Sequence, residues 1–368
     1  MTQTEKMQEL YIGVMSGTSL DGIDLALCAI DETDCKLLAS HEYPFVKELR
    51  DEILSLIASK VSLKQVGECD TKLGMLFAEC INDFMQKNAL HVTDITAIGL
   101  HGQTLWHEPN STYPFSMQLA NPNIVADKTG ITTIADFRRM DIAHGGQGAP
   151  FAPVFHKFLF ADSEQRTALV NIGGMTNISL LFDTLQGWDV GCGNILMDIW
   201  MQKTQHKNFD ENGAFAKSSK PDEALLEKML DDEYFKQKPP KSTGREYFDE
   251  DWLQNKLQNF EHLSDAEVQR TLLELTAQTI ANDVNNTHSS QLIICGGGAK
   301  NNFLLQRLSE LCHAKVSPSD ALGISSDFLE AMAFAWFAKK RIHKEPLALS
   351  SVTGSGKDSI TGAVYAAN

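Results

Sequence analysis

Two stretches of this 368-residue chain repeat one local plan of strand, small polar turn and strand. In the first, the apolar runs at residues 11–15 and 23–30 flank a turn of Ser, Gly, Thr, Leu and Asp residues. Short apolar runs on either side of a glycine-containing turn predict an antiparallel hairpin. Residues 167–181 follow the same order about 160 residues later, around a Gly-Gly-Met-Thr turn. We therefore expect two similar strand pairs, one at the head of each half of the chain.

The chemistry of these turns fits two interpretations. Glycine tolerates positive φ and allows a close backbone approach, while successive backbone N–H groups can bind an anion such as phosphate. Alternatively, Asp21-Gly22 is a common signal of an ordinary tight hairpin. The first stretch alone leaves both interpretations open. The second copy favours the phosphate interpretation, because it indicates a duplicated α/β fold with a nucleotide between the halves.

That layout resembles the superfamily of acetate and sugar kinases, Hsp70 and actin. Within it, residues 13–24 read Gly-Val-Met-Ser-Gly-Thr-Ser-Leu-Asp-Gly-Ile-Asp, which resembles the signature of the anhydro-N-acetylmuramic acid kinase family. The resemblance implies an α/β fold of two lobes with a central cleft, the duplicated actin-like ATPase fold. We expect residues 1–145 plus 345–368 to form the first lobe, and residues 146–344 to form the second with its nucleotide-binding elements.

Composition narrows the possible partners and the compartment. The net charge of −16 argues against nucleic acid and anionic membranes, which favour basic surfaces, although a site can be locally positive. Residues 1–9 are polar, and no apolar run reaches the ~18 residues of a membrane span. The seven scattered cysteines include no Cys-x-x-Cys pair, which predicts a reduced cytoplasmic protein whose cysteines pack as small hydrophobic residues.

In the first half, residues 48–59 and 71–86 have helical periodicity, and residues 95–100 form a predicted strand. The strand leads into a predicted polar loop at residues 101–107 with two histidines, for which a structural or sugar-contact role is favoured over metal binding. Asn121-Pro122 then begins a helix that Gly130 ends. Residues 131–135 return as a strand, so this region is predicted to be a β-α-β unit.

Residues 136–150 are predicted to be a loop with four charged side chains before a glycine-rich run. Either Arg138 or Arg139 could clamp a carboxylate, because the guanidinium group is a planar fork. The alternative is a solvated or ion-paired loop. The density of glycine and polar residues favours a site, and the run resembles the family pattern closely.

The second half is predicted to begin with a helix at residues 151–166 and the second hairpin. A glycine loop at residues 187–194 then leads into a helix from Ile195. The family pattern at this loop is Asp-Thr-Gly-Pro-Gly-Asn, and this chain keeps the Asp, both glycines and the Asn but has Val190 and Cys192. By the resemblance, Asp189 is the catalytic base; the alternative is a carboxylate at a helix N-terminus.

Further along, residues 241–248 again resemble the family, and residues 264–284 are predicted to form an amphipathic helix. Residues 292–295 form a predicted strand, which three glycines and a helix from Phe303 follow. This order is typical of a nucleotide cradle and resembles the adenosine motif of the superfamily, whereas neither the Rossmann nor the Walker A spacing is present.

Two features near the end of the chain have competing interpretations. Glu330 either forms a capping box with Asp327 or, as the resemblance suggests, enters the site. The run at residues 353–359 imitates a P-loop, but Ser351 and Asp358 occupy positions where Walker A requires Gly and Ser or Thr. We reject a P-loop and expect this tail to complete the first lobe.

The resemblance implies a reaction that opens 1,6-anhydro-N-acetylmuramic acid with water and phosphorylates O6 using ATP and Mg²⁺, in peptidoglycan recycling. It also implies a homodimer. Alternatives are a kinase of another amino sugar and a non-catalytic sugar sensor. The expected substrate contacts are Gln103, Arg138, Gln147 and Glu330, and the expected metal contact is Asp21, with Asp24 as a second candidate. The expected ATP contacts are Gly17, Thr18, Ser19, Leu20, Asp21, Gly22, Ile23, Asp24, Gly173, Gly174, Thr176, Asn177, Gly296, Gly297, Gly298 and Asn301.

Overall fold

A computed structural model describes residues 8–17, 20, 22–58, 61–162, 164–239, 241–245 and 247–367. The chain divides into two compact units. Unit 1 comprises Met1–Leu159 and Phe328–Asn368, and unit 2 comprises Phe160–Asp327. These boundaries differ from those proposed from the sequence in two places, because residues 146–159 and 328–344 belong to unit 1 rather than to the second lobe. The later segment contains the helix at residues 329–342, which packs on strands of the first unit.

Unit 1 is built on a six-stranded sheet, and elements are numbered here along the whole chain. The strands of unit 1 are β1 (Glu9–Ser16), β2 (Gly22–Ile30), β3 (Cys35–Pro44), β4 (Ile95–Leu100), β5 (Gln103–Glu108), β6 (Phe115–Leu119), β7 (Thr133–Ala135) and β13 (Ala363–Tyr365). The helices are α1 (Lys47–Ala58), α2 (Leu63–Lys87), α3 (Pro122–Thr129), α4 (Arg138–Ala143), α5 (Ala152–Phe160), α13 (Leu329–Ile342) and α14 (Ser350–Thr353), with a 3₁₀ helix at Val92–Asp94. The sheet order is β13-β7-β4-β1-β2-β3, and β5 and β6 form a separate hairpin.

Unit 2 is built on a five-stranded sheet of order β10-β9-β8-β11-β12. Its strands are β8 (Thr167–Ile172), β9 (Met175–Leu180), β10 (Gln186–Cys192), β11 (Gln291–Cys295) and β12 (Lys315–Pro318). The helices are α6 (Ile195–Gln205), α7 (Ala214–Lys217), α8 (Glu223–Leu230), α9 (Glu233–Lys236), α10 (Glu250–Leu257), α11 (Asp265–Asn286) and α12 (Asn302–Leu311), with 3₁₀ helices at Glu211–Gly213, Gly297–Lys300 and Ser319–Leu322.

The two sheets share one strand order. If the strands of each sheet are counted along the chain, both sheets read 3-2-1-4-5, and β13 adds a sixth strand to unit 1. In each sheet the first three strands are antiparallel neighbours, and the fourth and fifth strands join in parallel. The predicted α/β class and the duplicated plan are confirmed by this repeated order. Both predicted hairpins, β1–β2 and β8–β9, are present.

Several helix boundaries follow the signals in the sequence. Asn121 caps α3 through its side chain, Pro122 is the first helical residue, and Gly130 ends the helix in the left-handed region at φ 70°. Ser264 forms a capping box at the start of α11. The predicted return of the tail to the first lobe is also confirmed, because β13 pairs with β7.

Helix α13 lies unusually close to the sheet of unit 1. A Cβ atom on Gly13 would overlap the carbonyl oxygen of Ala331, and one on Gly99 would overlap that of Phe334. Glycine at these two strand positions lets the helix backbone rest directly on β1 and β4. The close contact fixes the start of α13, where Glu330 lies.

Four sequence predictions were wrong in detail. The supposed loop after β4 is strand β5, because residues 103–108 pair with β6. The supposed loop at residues 136–150 contains α4, and the glycine loop at residues 187–194 is largely strand β10. The predicted amphipathic helix α11 is present but is buried on most sides, because helices α6, α7, α8 and α12 surround it.

Each unit has its own apolar core around its sheet. All seven cysteines are free and buried, in agreement with the prediction that they pack as small hydrophobic residues. Among the described residues, no helix is both long enough and apolar enough to cross a membrane.

Candidate active site

The first hairpin turn is held from beneath by a strand that the sequence did not predict. The Ser16 hydroxyl donates to Gln103 Oε1 at 2.5 Å, and Gln103 Nε2 donates to the Gly17 carbonyl at 3.3 Å. Gln103 is only 1% exposed, so its side chain supports the turn. Thr18, Ser19 and Asp21 lie outside the described residues.

The described residues of the predicted signature differ in what they can offer a ligand. Leu20 has φ 56° and a buried side chain, and Ile23 is also buried in the core, so only their backbones are available. A Cβ on Gly22 would meet Glu42 Oε1 at 2.7 Å, so this glycine permits packing against β3. Asp24 lies on β2, opposite Glu42 of β3, and is half-buried.

A histidine connects the first hairpin to an arginine. Arg138 Nη2 lies 2.9 Å from His101 Nε2, and His101 Nδ1 lies 3.2 Å from the Ser16 carbonyl. Because a carbonyl only accepts, Nδ1 carries the proton and Nε2 accepts from the guanidinium. Burial and the charge of Arg138 lower the pKa of His101 to about 3, which keeps the ring neutral.

Arg138 and Arg139 have different surroundings. Arg138 donates to the Gly148 carbonyl at 2.8 Å, and its buried Nε–H has no partner among the described residues. Burial lowers the pKa of Arg138 to about 10, and nearby Glu330 opposes that change. Arg139 is exposed and lies 3.6 Å from Asp136. Of the two arginines, Arg138 is therefore the one whose guanidinium is held in place and still has an unpaired N–H donor.

Glu330 is not the capping residue that one interpretation predicted. The N-cap of α13 is Phe328, which makes no side-chain cap bond, and Asp327 pairs with Lys300 at 2.7 Å. The Glu330 side chain reaches solvent, yet desolvation raises the pKa of its carboxyl while the charge of Arg138 opposes the rise. Glu330 and Arg138 are thus electrostatic neighbours in unit 1.

The tail of the chain braces the loop that follows Arg138. The Thr353 hydroxyl donates to the buried carboxylate of Asp141 at 2.8 Å, and the backbone N–H of Gln147 donates to the Thr353 carbonyl at 3.1 Å. Gly148 N donates to the same carboxylate at 2.7 Å. The Gln147 side chain is exposed and available to a ligand.

The second hairpin turn is packed from below by a third glycine. Gly193 N donates to the Gly174 carbonyl at 2.9 Å, and Asn194 N donates to the Gly173 carbonyl at 2.8 Å. A Cβ on Gly193 would overlap the Gly173 carbonyl oxygen. Thr176 is fully buried, and its hydroxyl has no partner among the described residues.

Asp189 lies on β10, opposite Asn177 of β9 in the antiparallel register. The Ser242 hydroxyl donates to Asp189 Oδ2 at 2.8 Å, and Thr243 N donates to the same oxygen at 3.1 Å. The Asp189 amide donates to the Lys241 carbonyl at 3.0 Å. The carboxylate is therefore held at one oxygen by the segment at residues 241–243.

Val190 and Cys192, the two departures from the family pattern, are each about 1% exposed. Both side chains lie in the core of unit 2. Each is an apolar residue in an apolar environment, so the departures change the packing beneath the site and leave the half-buried Asp189 on the other face of β10.

The predicted nucleotide cradle follows β11. Gly296 has φ 76°, and a Cβ there would overlap the side-chain oxygen of Asn171. Gly297 and Gly298 begin a 3₁₀ helix, and the Asn301 side chain caps α12 by accepting from Leu304 N at 3.0 Å. Asn301 thus caps the N-terminus of α12, which directly follows the glycine run.

Sequence reasoning missed the side chains that orient others. The sequence predicts only a sugar-contact or structural role for the histidines at residues 101–107, and it gives no sign that Ser242 and Thr243 are partners of Asp189. Partners of this kind come from distant parts of the chain, and no local spacing reveals them. No group of three or more His, Cys, Asp or Glu side chains able to hold a metal ion exists within the described ranges.

Comparison with known proteins identifies the family. Residues 9–367 match the family described as anhydro-N-acetylmuramic acid kinase. This chain belongs to that family. It is 51% identical to the anhydro-N-acetylmuramic acid kinase of Sulfurimonas denitrificans, over 98% of this chain and 100% of that protein. It is 46% identical to the same enzyme of Vibrio vulnificus, over 97% of this chain and 98% of that protein. The resemblance seen at residues 13–24 is confirmed.

Solved structures with similar folds are more distant. An activator of 2-hydroxyisocaproyl-CoA dehydratase from Clostridium difficile, with bound ADPNP, is 12% identical with a TM-score of 0.44, covering 89% of this chain and 94% of that one. A ROK family glucokinase from Streptomyces griseus, in complex with glucose and AMPPNP, is 12% identical with a TM-score of 0.43, covering 90% and 99%.

Proposed function

We propose that this protein is an ATP-dependent kinase that opens 1,6-anhydro-N-acetylmuramic acid with water and phosphorylates O6, giving N-acetylmuramic acid 6-phosphate in peptidoglycan recycling. Membership of the family supports the substrate and the reaction. The observation that carries the chemistry is the Asp189 carboxylate, which Ser242 and Thr243 hold at one oxygen. A carboxylate held in this way is suited to act as a general base.

In the proposed reaction, Asp189 accepts a proton from the water that attacks C1 of the sugar. The C1–O6 bond breaks as the C1–OH bond forms, and the electron pair of that bond remains on O6. O6 then attacks the γ-phosphorus, and ADP leaves. Activation of water by a carboxylate against an anomeric carbon follows the logic of inverting glycosidases.

The sugar carboxylate is assigned to Arg138. Its unpaired buried Nε–H and its fixed guanidinium support this assignment, whereas Arg139 is exposed and already paired with Asp136. Glu330 is the proposed acceptor for a hydroxyl or amide of the sugar, and the exposed Gln147 side chain is a further proposed contact. Gln103 is assigned a supporting role beneath the first turn.

The phosphates are assigned to the two hairpin turns, and the nucleoside to the glycines at residues 296–298. A cavity of about 310 Å³ in unit 2, lined by Met201, Gln205, Phe215 and neighbouring residues, suits an adenine ring. Gly213, next to this cavity in sequence, contacts Asn301 at the end of the glycine run. This adjacency supports a continuous adenosine site.

Mg²⁺ is proposed as the cofactor, where it would neutralise phosphate charge during transfer. The oxygen-rich character of the first signature suits a hard cation, and Asp24 on β2 is the described carboxylate that would hold it through water. Asp21, the other proposed contact, lies outside the described residues. Mg²⁺ is usually held by one or two carboxylates together with phosphates and water.

An isotope experiment tests the proposed reaction. In ¹⁸O-labelled water with Mg-ATP and anhydro-N-acetylmuramic acid, early product should carry ¹⁸O at C1 and none in the phosphate ester. Asp189→Asn should retain nucleotide binding and lose roughly 10²–10⁴-fold in turnover. Label in the phosphate, or a phosphorylated product that keeps its anhydro bridge, would exclude the mechanism. No turnover by the folded wild-type protein would favour the sugar-sensor alternative.

The cytoplasmic location and the homodimer remain predictions from composition and family. Sedimentation velocity at micromolar concentration measures the second directly, and a single monomeric species would contradict it.

A further inference from the structure

The second hairpin turn has a side chain lying over it that the proposed reaction has not used. A Cβ on Gly174 would lie 3.3 Å from Arg245 Nη2 and 3.6 Å from Nε. The guanidinium therefore occupies the space that a side chain at position 174 would take. The guanidinium thus rests on the turn at Gly174, within contact distance of any side chain that would replace it.

The guanidinium of Arg245 is not used to stabilise the fold. Its side chain is exposed, and no acceptor in the described part of unit 2 hydrogen-bonds its guanidinium. By contrast, Arg270 and Arg307 of the same unit are committed to Glu274. An exposed arginine whose hydrogen-bonding capacity is not used has N–H donors to offer to an incoming group.

The charge of this arginine acts on a carboxyl group of another element. Asp198 lies in the first turn of α6, the helix that begins directly after Gly193 and Asn194 beneath the hairpin turn. Burial raises the pKa of Asp198 to about 7, and the positive charge of Arg245 opposes the rise. The two groups are thus electrostatic neighbours near the turn.

The segment that carries Arg245 is the one that holds the proposed base. Lys241 pairs with the Asp189 backbone, and Ser242 and Thr243 donate to its carboxylate. Arg245 follows two residues later. The position of the guanidinium is therefore coupled to that of Asp189 through a very short length of chain.

We propose that Arg245 contacts the terminal phosphoryl group of the nucleotide and stabilises the charge that develops during its transfer, with Asp198 as the residue that positions the guanidinium. This inference rests on the proposed assignment of phosphates to the hairpin turns. Planar guanidinium groups suit bidentate contact with phosphate oxygens. Stabilisation of developing charge is the main contribution that a protein makes to phosphoryl transfer.

A binding comparison tests the role of Arg245 without turnover. Calorimetric titrations of Mg-AMP-PNP and of Mg-ADP are compared for wild type, Arg245→Ala, Arg245→Lys and the control Lys203→Ala. Lys203 is an exposed residue of α6 paired with Glu250, so its loss removes one charge without touching the turn. Arg245→Ala should bind the triphosphate analogue about 10–100-fold more weakly and ADP within about twofold of wild type. Arg245→Lys should fall between.

Turnover provides a second readout. Arg245→Ala should lower kcat by about 10³-fold or more, and free guanidinium ion should restore part of that loss. Equal weakening of ADP and AMP-PNP binding, or an unchanged kcat, overturns the role of Arg245. A different result would overturn the proposed function alone. In that case Arg245→Ala would selectively weaken triphosphate binding, but the wild-type protein would not open the anhydro sugar.

A double-mutant cycle tests the positioning role of Asp198. Asp198→Asn should weaken triphosphate binding in the presence of Arg245 and have little effect in the Arg245→Ala background. Additive losses would show that Asp198 acts independently of Arg245 and would overturn that part of the proposal. Circular dichroism melts confirm that every variant compared is folded.

Discussion

The ionised carboxylate of Asp198 is expected to destabilise the folded protein. Its pKa is raised from 3.8 to about 7 chiefly by burial, so the folded protein binds this proton more tightly than the unfolded chain does. Stability must then fall as pH rises through that interval, and the loss is complete above pH 7. We expect Asp198→Asn to stabilise the protein at pH 8 by roughly 1–4 kcal/mol, while its triphosphate binding weakens.

Urea denaturation at pH 4 and pH 8 measures this effect. The two proteins should differ much less at pH 4, where the carboxyl is protonated in the folded protein and about half protonated in the unfolded chain. An Asn variant that is less stable than wild type at pH 8 would contradict the prediction and show that the carboxylate stabilises the fold.

His101 is expected to stay neutral throughout the working range of pH. Burial and Arg138 lower its pKa to about 3, and its two contacts define the tautomer with the proton on Nδ1. Nitrogen-15 NMR of histidine-labelled protein should show the His101 ring, assigned by comparison with His101→Gln, as neutral with Nδ1–H between pH 5 and pH 8, with the exposed histidines as reference signals. Protonation of this ring near pH 6.5 would show that Arg138 is not its partner in solution.

At the scale of elements, the contact of α13 with β1 is the most sensitive to substitution. Gly13→Ala would force its Cβ onto the Ala331 carbonyl, and overpacking of this kind costs roughly 1–3 kcal/mol or more. Because the contact fixes the start of α13, the variant should also raise the KM for the sugar through Glu330. Chemical denaturation and steady-state kinetics measure both effects.

A glycine on α2 provides the matched control. A Cβ on Gly67 would meet nothing within 4 Å, and Gly→Ala in a helix is stabilising by about 0.5–1 kcal/mol. Gly67→Ala should therefore raise stability slightly and leave the KM unchanged. Equal effects of the two substitutions would mean that the tight packing of α13 on β1 is not what limits stability.

The elements that local chemistry specifies could be predicted from the sequence, and those that depend on distant partners could not. Asn121, Pro122 and Gly130 delimit α3 because caps and glycine stops act within one helical turn. Residues 101–107 contain two histidines and are predicted to be a loop, yet β6 supplies the pairing that makes residues 103–108 a strand. Asp327 and Glu330 have capping-box spacing, but Lys300 takes the aspartate.

The same distinction holds for the site. The acidic and glycine residues could be predicted because the family motifs lie in contiguous stretches. Their supports could not, since Gln103 reaches the first turn across 87 residues and Ser242 reaches Asp189 across 53. Arg245 likewise acquires its proposed role only when the chain folds its segment over Gly174.

At the scale of the whole molecule, the cysteines provide a test of native packing. All seven are free and buried, and burial raises the pKa of Cys69 to about 11 and that of Cys80, Cys192 and Cys312 to about 12. A thiol reagent at pH 8 should react with almost none of them in the native protein and with seven after denaturation. Rapid stoichiometric labelling of even one thiol under native conditions would contradict the packing described here.

The shared 3-2-1-4-5 strand order makes the β5–β6 hairpin stand out as the element that differs between the two units. If two once-equal halves began with this order, the β5–β6 hairpin is an addition, because unit 2 has no counterpart between its fourth and fifth sheet strands. Yet Gln103, at the start of that addition, now holds Ser16 and Gly17 of the older hairpin. The first turn of unit 1 thus relies on the β5–β6 hairpin for its support. Deleting the β5–β6 hairpin would therefore remove the hydrogen bonds that hold the first turn, so unit 1 depends on an element that unit 2 manages without.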